Sequence, residues 1–247
     1  MKLVRDTWLV FTRQMTLVLR NPVWLIVGLM QPVYFLLLFG PLLKNALRMS
    51  AEDAYRFFVP GLLVQLAMFG TLFVGFGLIA ELRAGVIERM RVTPVSRLSL
   101  LLGRSLRDMV TLLVQAILLT VLALPFGLTV RIGDLLLALA LLALIALMLS
   151  AISYALALKL RSEDALAPLM NAVSMPVLLL SGILLPLSGW LRSVGDWNPF
   201  TYAVDASRAL FAGDPGNSSV WKALVITTAL AVAAATWAAR SFARSVR

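Results

Sequence analysis

The chain has few groups with which to do chemistry. It contains no cysteine and no histidine, which removes thiolate and imidazole metal sites and the usual general base near neutral pH. No glycine is followed by lysine, so the glycine-rich loop G-x-x-x-x-G-K-[ST] that cradles nucleotide phosphates is absent. Intramembrane proteolysis would need a His–Ser pair, paired Asp residues or a metal motif within the membrane. Proton-coupled transport draws on an intramembrane acid or histidine, and an ion-selective pore on a ring of acids or a filter-like loop. None of these is legible, and neither a catalytic residue nor a metal ligand is assigned. What remains is a membrane domain that moves something with energy supplied from elsewhere.

The elements that would frame such a path are plain. Six stretches carry no charged residue: Pro22–Leu43, Phe57–Ala80, Met109–Val130, Leu135–Leu158, Ala165–Leu191 and Ala223–Ala239. A hydrocarbon core of about 30 Å takes about 20 apolar residues as a helix. An unpaired charge at mid-bilayer costs at least ~2.5–3.5 kcal/mol, so the exclusion of all 22 basic and 12 acidic residues from these stretches is informative. The expected fold is an all-α polytopic membrane protein, one domain over 1–247, with six transmembrane helices near 22–43, 57–80, 109–130, 135–158, 165–186 and 221–239. Placing the N-terminus inside puts fifteen of the 22 Lys and Arg on the inner side and seven outside. That bias predicts both termini in the cytoplasm. It also accounts for the net charge of +10 without nucleic acid.

Between the spans, residues 1–20 place Val4, Trp8, Phe11, Met15 and Val18 at helical spacing. They read as an amphipathic helix in the inner interface, or as a basic flank of the first span. Pro32 and Pro41 are expected to kink that span. Ala67, Thr71 and Gly75 form a small-residue stripe in span 2, where another helix can approach. Residues 81–107 make the largest inner loop. A short helix over Glu81–Arg91 is expected there, then a new helix started by Thr93-Pro94 and running into span 3. Span 5 is the polar one, with Asn171, Ser174 and Pro176. The excess from Pro186 to Leu191 is expected to re-enter the outer interface as a short helix. Asn198-Pro199 caps another, whose face carries Phe200, Val204, Ser207 and Phe211. Asn217-Ser218-Ser219 matches a glycosylation sequon but stands alone and is read as chance.

Two regions carry a resemblance. Glu81…Gly85…Glu88-Arg89…Val92-Thr93-Pro94-Val95-Ser96-Arg97…Leu102-Gly103-Arg104 resembles the loop between spans 2 and 3 of ABC-2 type transport permeases. Leu180-Ser181-Gly182-Ile183-Leu184-Leu185-Pro186, Trp190-Leu191 and Asn198-Pro199-Phe200-Thr201-Tyr202-Ala203-Val204-Asp205-Ala206-Ser207-Arg208 is similar to the segment between spans 5 and 6. The resemblance runs over the whole chain and is nearest to the daunorubicin-resistance type of drug-export permease. Ala84-Gly85-Val86 departs from the Glu/Lys-x-Gly-Thr run of many relatives.

The resemblance implies a permease subunit of an exporter in the cell's inner membrane. It would pair with a second, identical permease chain and with two copies of a separate ATPase subunit that binds the ATP and Mg. A cytoplasmic coupling helix would contact the ATPase through Glu81, Arg83, Glu88, Arg89 and Arg91. Charges on a rigid helix at the membrane edge can pair across a subunit interface and set its register. Taken singly, the arginines also fit an ordinary positive-inside loop. The acids do not, since inner-loop acids do nothing for topology.

The translocation path would involve Gln65, Met68, Phe69, Phe73 and Phe76 of span 2 and Asn171, Met175 and Leu179 of span 5, each of which could equally be a packing residue. As a set they form an apolar, Met-containing wall suited to varied hydrophobic cargo. An extracellular gate of short re-entrant helices would use Pro186, Asn198, Pro199, Tyr202, Asp205 and Arg208, with Asp205 and Arg208 one turn apart and able to pair. The expected cargo is a lipophilic drug, lipid or secondary metabolite. The rivals are a permease for a polysaccharide or other polar cargo and a non-transporting membrane scaffold.

Overall fold

The computed structural model describes residues 2–46, 50–85, 96–184 and 187–245. Glu88, Arg89, Arg91, the Thr93-Pro94 pair and Pro186 lie outside the described residues. Among the described residues there is no strand. The helices are α1 (Lys2–Arg20), α2 (Val23–Ala46), α3 (Ala51–Leu72), α4 (Gly75–Arg83), α5 (Arg97–Ala123), α6 (Ile132–Leu160), α7 (Glu163–Leu179), α8 (Trp190–Gly195), α9 (Pro199–Phe211) and α10 (Ser218–Ser245).

Five of these segments are long and apolar enough to cross a membrane: Leu25–Leu42, Glu52–Arg83, Leu98–Phe126, Ile132–Leu160 and Ser218–Phe242. The fifth expected span differs. α7 has 17 residues and stops at Leu179, about 25 Å of helix, rather than reaching residue 186. Leu180 and Ser181 turn back onto Pro176 and Leu178, and Gly182 takes φ +72°, a left-handed conformation that suits glycine.

α1 packs along α5. Its buried side chains are Asp6 and Gln14, while Leu3, Val4, Trp8, Leu9, Leu17 and Leu19 are exposed. α1 thus turns two polar groups toward the protein and leaves these apolar side chains uncovered by the rest of the chain. The close approach is made at Gly103, where an added Cβ would lie 2.7 Å from the Val10 Cβ and 2.9 Å from the Thr7 carbonyl oxygen. Ser96 caps α5 by accepting from the Ser99 N–H at 3.1 Å. The helix expected to start at Thr93-Pro94 therefore starts at Arg97, because the Ser96 hydroxyl satisfies a first-turn donor.

The core runs along α3, α5, α6 and α9, with Phe58, Leu62, Leu63, Leu112, Leu119, Leu141, Tyr154 and Phe211 almost wholly enclosed. α10 lies along α6, and α2 covers α3 and part of α5. The second expected span is not one rod: it breaks at Phe73–Val74 between α3 and α4. The Ser153 hydroxyl of α6 bridges the break, donating to the Leu72 carbonyl at 2.6 Å and accepting from the Gly75 N–H at 2.9 Å. A Cβ at Gly75 would sit 2.8 Å from the Ser153 carbonyl oxygen. The Ala67, Thr71, Gly75 stripe thus meets α6 of the same chain at its Gly75 end.

Candidate functional site

Three places bring polar chemistry together, one at each end of the bundle and one between them. At the α1 end, the Arg104 guanidinium pairs with Glu81, and Gln14 donates to the other Glu81 oxygen at 3.3 Å. Arg104 is 3% exposed and Glu81 24%. Beneath them Arg107 lies 3.1 Å from Asp108, whose carboxylate accepts from the buried Tyr154 hydroxyl. Exposed Arg83 reaches Glu163 at 3.5 Å. Burying charge costs several kcal/mol per ion unless it is paired and hydrogen-bonded, and the pairing here is incomplete. Asp6 Oδ2, Arg104 Nε and Arg107 Nε are buried without a hydrogen-bond partner.

Of the expected coupling residues, the structure places Glu81 in this cluster and Arg83 at its edge. Gln14, Arg104, Arg107, Asp108 and Tyr154 are the members that sequence reasoning missed. The helix Leu98–Phe126, long and apolar enough to cross a membrane, includes three of them, among them Asp108, 4% exposed and one residue before the charge-free stretch Met109–Val130. The available signal was their spacing, since 104, 107 and 108 share one face of a helix.

Midway, α2 and α3 enclose a cleft of about 300 Å³. α2 contributes Val27, Gly28, Gln31 and Pro32; α3 contributes Gln65, Phe69 and Gly70, and Phe73 closes one end. The rings of Phe69 and Phe73 are stacked at 6.3 Å with planes 12° apart, and those of Phe73 and Phe76 at 5.9 Å and 6°. The break in the backbone therefore leaves the aromatic row intact. Met68 turns into the core, 1% exposed, and does not reach the cleft. Asn171, Met175 and Leu179 lie exposed on α7 and do not line it either.

At the opposite end, α8 and α9 are stitched to the turn after α7. Asn198 accepts from the Phe200 N–H at 3.0 Å and donates to the Val177 carbonyl at 2.8 Å, with Pro199 in the first turn of α9. The Thr201 hydroxyl lies 2.9 Å from the Leu180 carbonyl and 2.8 Å from that of Gly195, and Tyr202 donates to the Asp196 carbonyl at 3.0 Å. α8 begins at Trp190, not at Pro186.

The expected Asp205–Arg208 pair does not form. Asp205 binds Arg192 of α8 at 2.8 Å. Arg208 instead donates to the carbonyls of Phe57 at 3.1 Å, Gly182 at 2.8 Å and Ile183 at 3.2 Å, and its guanidinium carbon lies 3.8 Å from the Phe57 ring centroid. Three carbonyls and an aromatic face satisfy a guanidinium more fully than one carboxylate one turn away. Burial lowers the Arg208 pKa to about 10, with Asp205 opposing the shift, so Arg208 is charged at neutral pH. The Arg192 guanidinium is held above its ordinary pKa by its hydrogen bond to Asp205.

A bundle of membrane-length helices with an N-terminal helix packed along α5, a broken second helix rod and paired short helices before the last one carries the two sequence regions noted above. The match to the ABC-2 type transporter family runs over residues 5–212. This chain belongs to that family. It is 30% identical over 214 residues, 85% of this chain and 76% of the other, to the daunorubicin resistance ABC transporter permease protein of Streptomyces coeruleorubidus. It is 31% identical over 201 residues to a putative transport permease of Cyanophora paradoxa, covering 78% of this chain and 69% of that one. A putative transport permease of Pyropia yezoensis is 27% identical over 218 residues. Members of the family are multi-pass membrane subunits that work with a separate ATPase.

Proposed function

We propose that this chain is the permease subunit of an ATP-driven exporter of a lipophilic drug, lipid or secondary metabolite. The observation that supports it best is the α2–α3 cleft, walled by stacked Phe69 and Phe73 with no charged residue in its lining. An uncharged aromatic wall favours apolar solutes, whereas a sugar polymer would want many more polar partners. The name of the daunorubicin-resistance relative points the same way.

In this reading the chain is one domain that spans the membrane six times, with α7 and the turn after it as the fifth crossing. Both termini are cytoplasmic, and two copies pair so that α3 and α7 of each face the path. That arrangement gives the exposed Asn171, Met175 and Leu179 a place against the second copy. Two ATPase subunits, carrying the ATP and Mg, dock on the end that bears Glu81 and Arg83, with Glu88, Arg89 and Arg91 taking part in the contact. The segment around Asn198, Pro199, Tyr202, Asp205 and Arg208 closes the outer end.

Co-purification with an ATPase, followed by stimulation of ATP hydrolysis by candidate cargoes, tests the function. A chain that purifies without an ATPase under conditions that keep it folded would return it to the scaffold class. Glu88→Arg should weaken that co-purification without loss of insertion. Full retention of ATPase and transport in Glu88→Arg would remove the coupling assignment. Orientation is read by single-cysteine labelling, clean because the chain has no cysteine. Ser218 and Ala84 are exposed at opposite ends, whereas Ser99 is fully buried and unsuitable. An impermeant reagent on intact cells should label Ser218→Cys and spare Ala84→Cys.

A further inference from the structure

A second cavity, of about 250 Å³, lies at the end of the bundle that bears α9. It is lined by Arg56 of α3, by Thr129 and Arg131 of the α5–α6 connection, and by residues 211–213 at the end of α9. Two guanidinium groups therefore share one cavity, and the residues that line it include no acid. Arg56 is committed. Its Nε donates to Thr129 Oγ1 at 3.1 Å and its Nη2 lies 2.9 Å from Glu52. The Thr129 hydroxyl in turn donates to Glu52 at 3.1 Å. Arg131 is exposed, and among the described residues its guanidinium has no hydrogen bond and no ion pair. It lies against Gly213, where an added Cβ would stand 3.7 Å from Arg131 Cζ and 3.9 Å from Nη1. The neighbouring Asp214 accepts from Asn217 at 3.1 Å instead. Glu52 thus neutralises one of the two arginines, and the other keeps its donors open to solvent. Like charges in one cavity repel unless an anion joins them.

We infer that this cavity binds the phosphodiester of a lipid headgroup, with Arg131 taking its oxygens and Arg56 as a fixed second cation. A phosphodiester carries one negative charge and two free oxygens, which matches one unpaired guanidinium donating through two parallel N–H groups. The depth of the cavity favours a lipid as the source. The membrane-length segments Glu52–Arg83, Leu98–Phe126 and Ile132–Leu160 begin or end about one helical turn from Arg56, Thr129 and Arg131. The cavity therefore stands where headgroups meet the hydrocarbon core. Ile132 and Leu136 follow Arg131 on α6, one turn apart, and are 79% and 61% exposed. They form a bare apolar strip along which an acyl chain can lie. The volume falls below the about 300–1,000 Å³ of small-molecule sites, and suits a headgroup whose chains stay in the membrane. The site does not depend on what the chain transports.

Native mass spectrometry of the full-length chain, released from nonionic detergent, counts bound lipids and gives their affinities. The probes are dioleoyl phosphatidylglycerol and dioleoylglycerol, which share their chains and differ in the phosphodiester headgroup. Phosphatidylglycerol is expected to bind at least about tenfold more tightly, the effect of one charge-assisted hydrogen bond. Arg131→Gln should erase that preference, and because Arg131 is exposed and unpaired the variant should fold as the wild type does. Lys222→Gln removes a charge from an exposed residue in the first turns of α10, outside the lining, and should keep the preference. Glycerophosphoglycerol, the same headgroup without chains, should not displace the lipid at equal concentration. Equal affinity of the wild type for the two lipids overturns the proposal. So does a preference that survives Arg131→Gln, or one lost as fully in Lys222→Gln. Displacement by glycerophosphoglycerol at equal concentration would make this a site for a free phosphodiester and overturn the lipid assignment.

Discussion

Glu81→Gln keeps the shape of the side chain and removes its charge. Arg104 would then remain 3% exposed with its Nε already unpartnered and with Arg107 on the same helix face. Breaking a fully buried ion pair by deleting one partner costs about 3–5 kcal/mol. Glu81 is a quarter exposed, so water relieves part of that, and about 2–4 kcal/mol is expected. Arg104→Met leaves the less buried partner behind, still held by Gln14, and should cost about 1–2 kcal/mol. If the two act on each other, the double variant should be less damaged than the sum, by a coupling energy of about 1–3 kcal/mol. Reversible unfolding in mixed micelles of dodecyl sulfate and nonionic detergent measures all four corners of the cycle. Additivity to within about 0.5 kcal/mol would refute the claim that Arg104 and Glu81 depend on each other.

At the other end, Arg208→Met should destabilise by about 3–5 kcal/mol, because three carbonyls and an aromatic face lose a charged donor together. Arg208→Lys should recover only part of it, since a point charge cannot copy the fork; full recovery would count against the geometry. The folded-state pKa of Arg208, about 10, lies below its ordinary value. The unfolded chain therefore binds the extra proton only above pH 10, and stability would rise with pH only there; a titration between pH 6 and 9 should show no step from this group. Asp205→Asn should cost about 1 kcal/mol or less, as its partner Arg192 is 46% exposed; a loss as large as that of Arg208→Met would contradict this ranking. Ser153→Ala strips the bridge from both sides of the α3–α4 break and should cost about 1–3 kcal/mol, seen as a lowered unfolding midpoint in the same titration.

The helices were legible because hydropathy reports on length and charge exclusion, and those are set by the solvent on the outside of the bundle. The break at Phe73–Val74 was not. A window of apolar residues looks the same whether or not its backbone is continuous, and the group that satisfies the opened turn, Ser153, lies 78 residues away from Gly75. The same blindness hid Asp108. It stands one residue before a charge-free stretch and reads as loop charge, although α5 carries it as a buried residue. Its partners, Arg107 on the same helix and Tyr154 from α6, explain why it is tolerated there. Asp205 and Arg208 failed for a different reason. Their helical spacing was read correctly, but spacing says which groups can meet and not which competitor is nearer. For Arg208 the competitors were the Phe57, Gly182 and Ile183 carbonyls, and for Asp205 it was Arg192.

The break and the charged cluster are tied to consecutive residues of α6. Ser153 holds Leu72 and Gly75, and Tyr154 holds Asp108. α4, nine residues from Gly75 to Arg83 or about 13.5 Å, runs from the first of these points to the second, where Glu81 meets Arg104. A continuous helix would carry any displacement of Glu81 straight along the row of Phe76, Phe73 and Phe69 to the cleft. The break interrupts that line, because α3 and α4 are joined there through the Ser153 hydroxyl rather than by continuous helical hydrogen bonding. The rings of Phe69, Phe73 and Phe76 stay stacked across the break, so α4 is linked to the cleft through side chains as well as through the backbone. Glycine at 75 is what permits the break to sit so close to α6, since a Cβ there would lie 2.8 Å from both the Ser153 carbonyl and its hydroxyl.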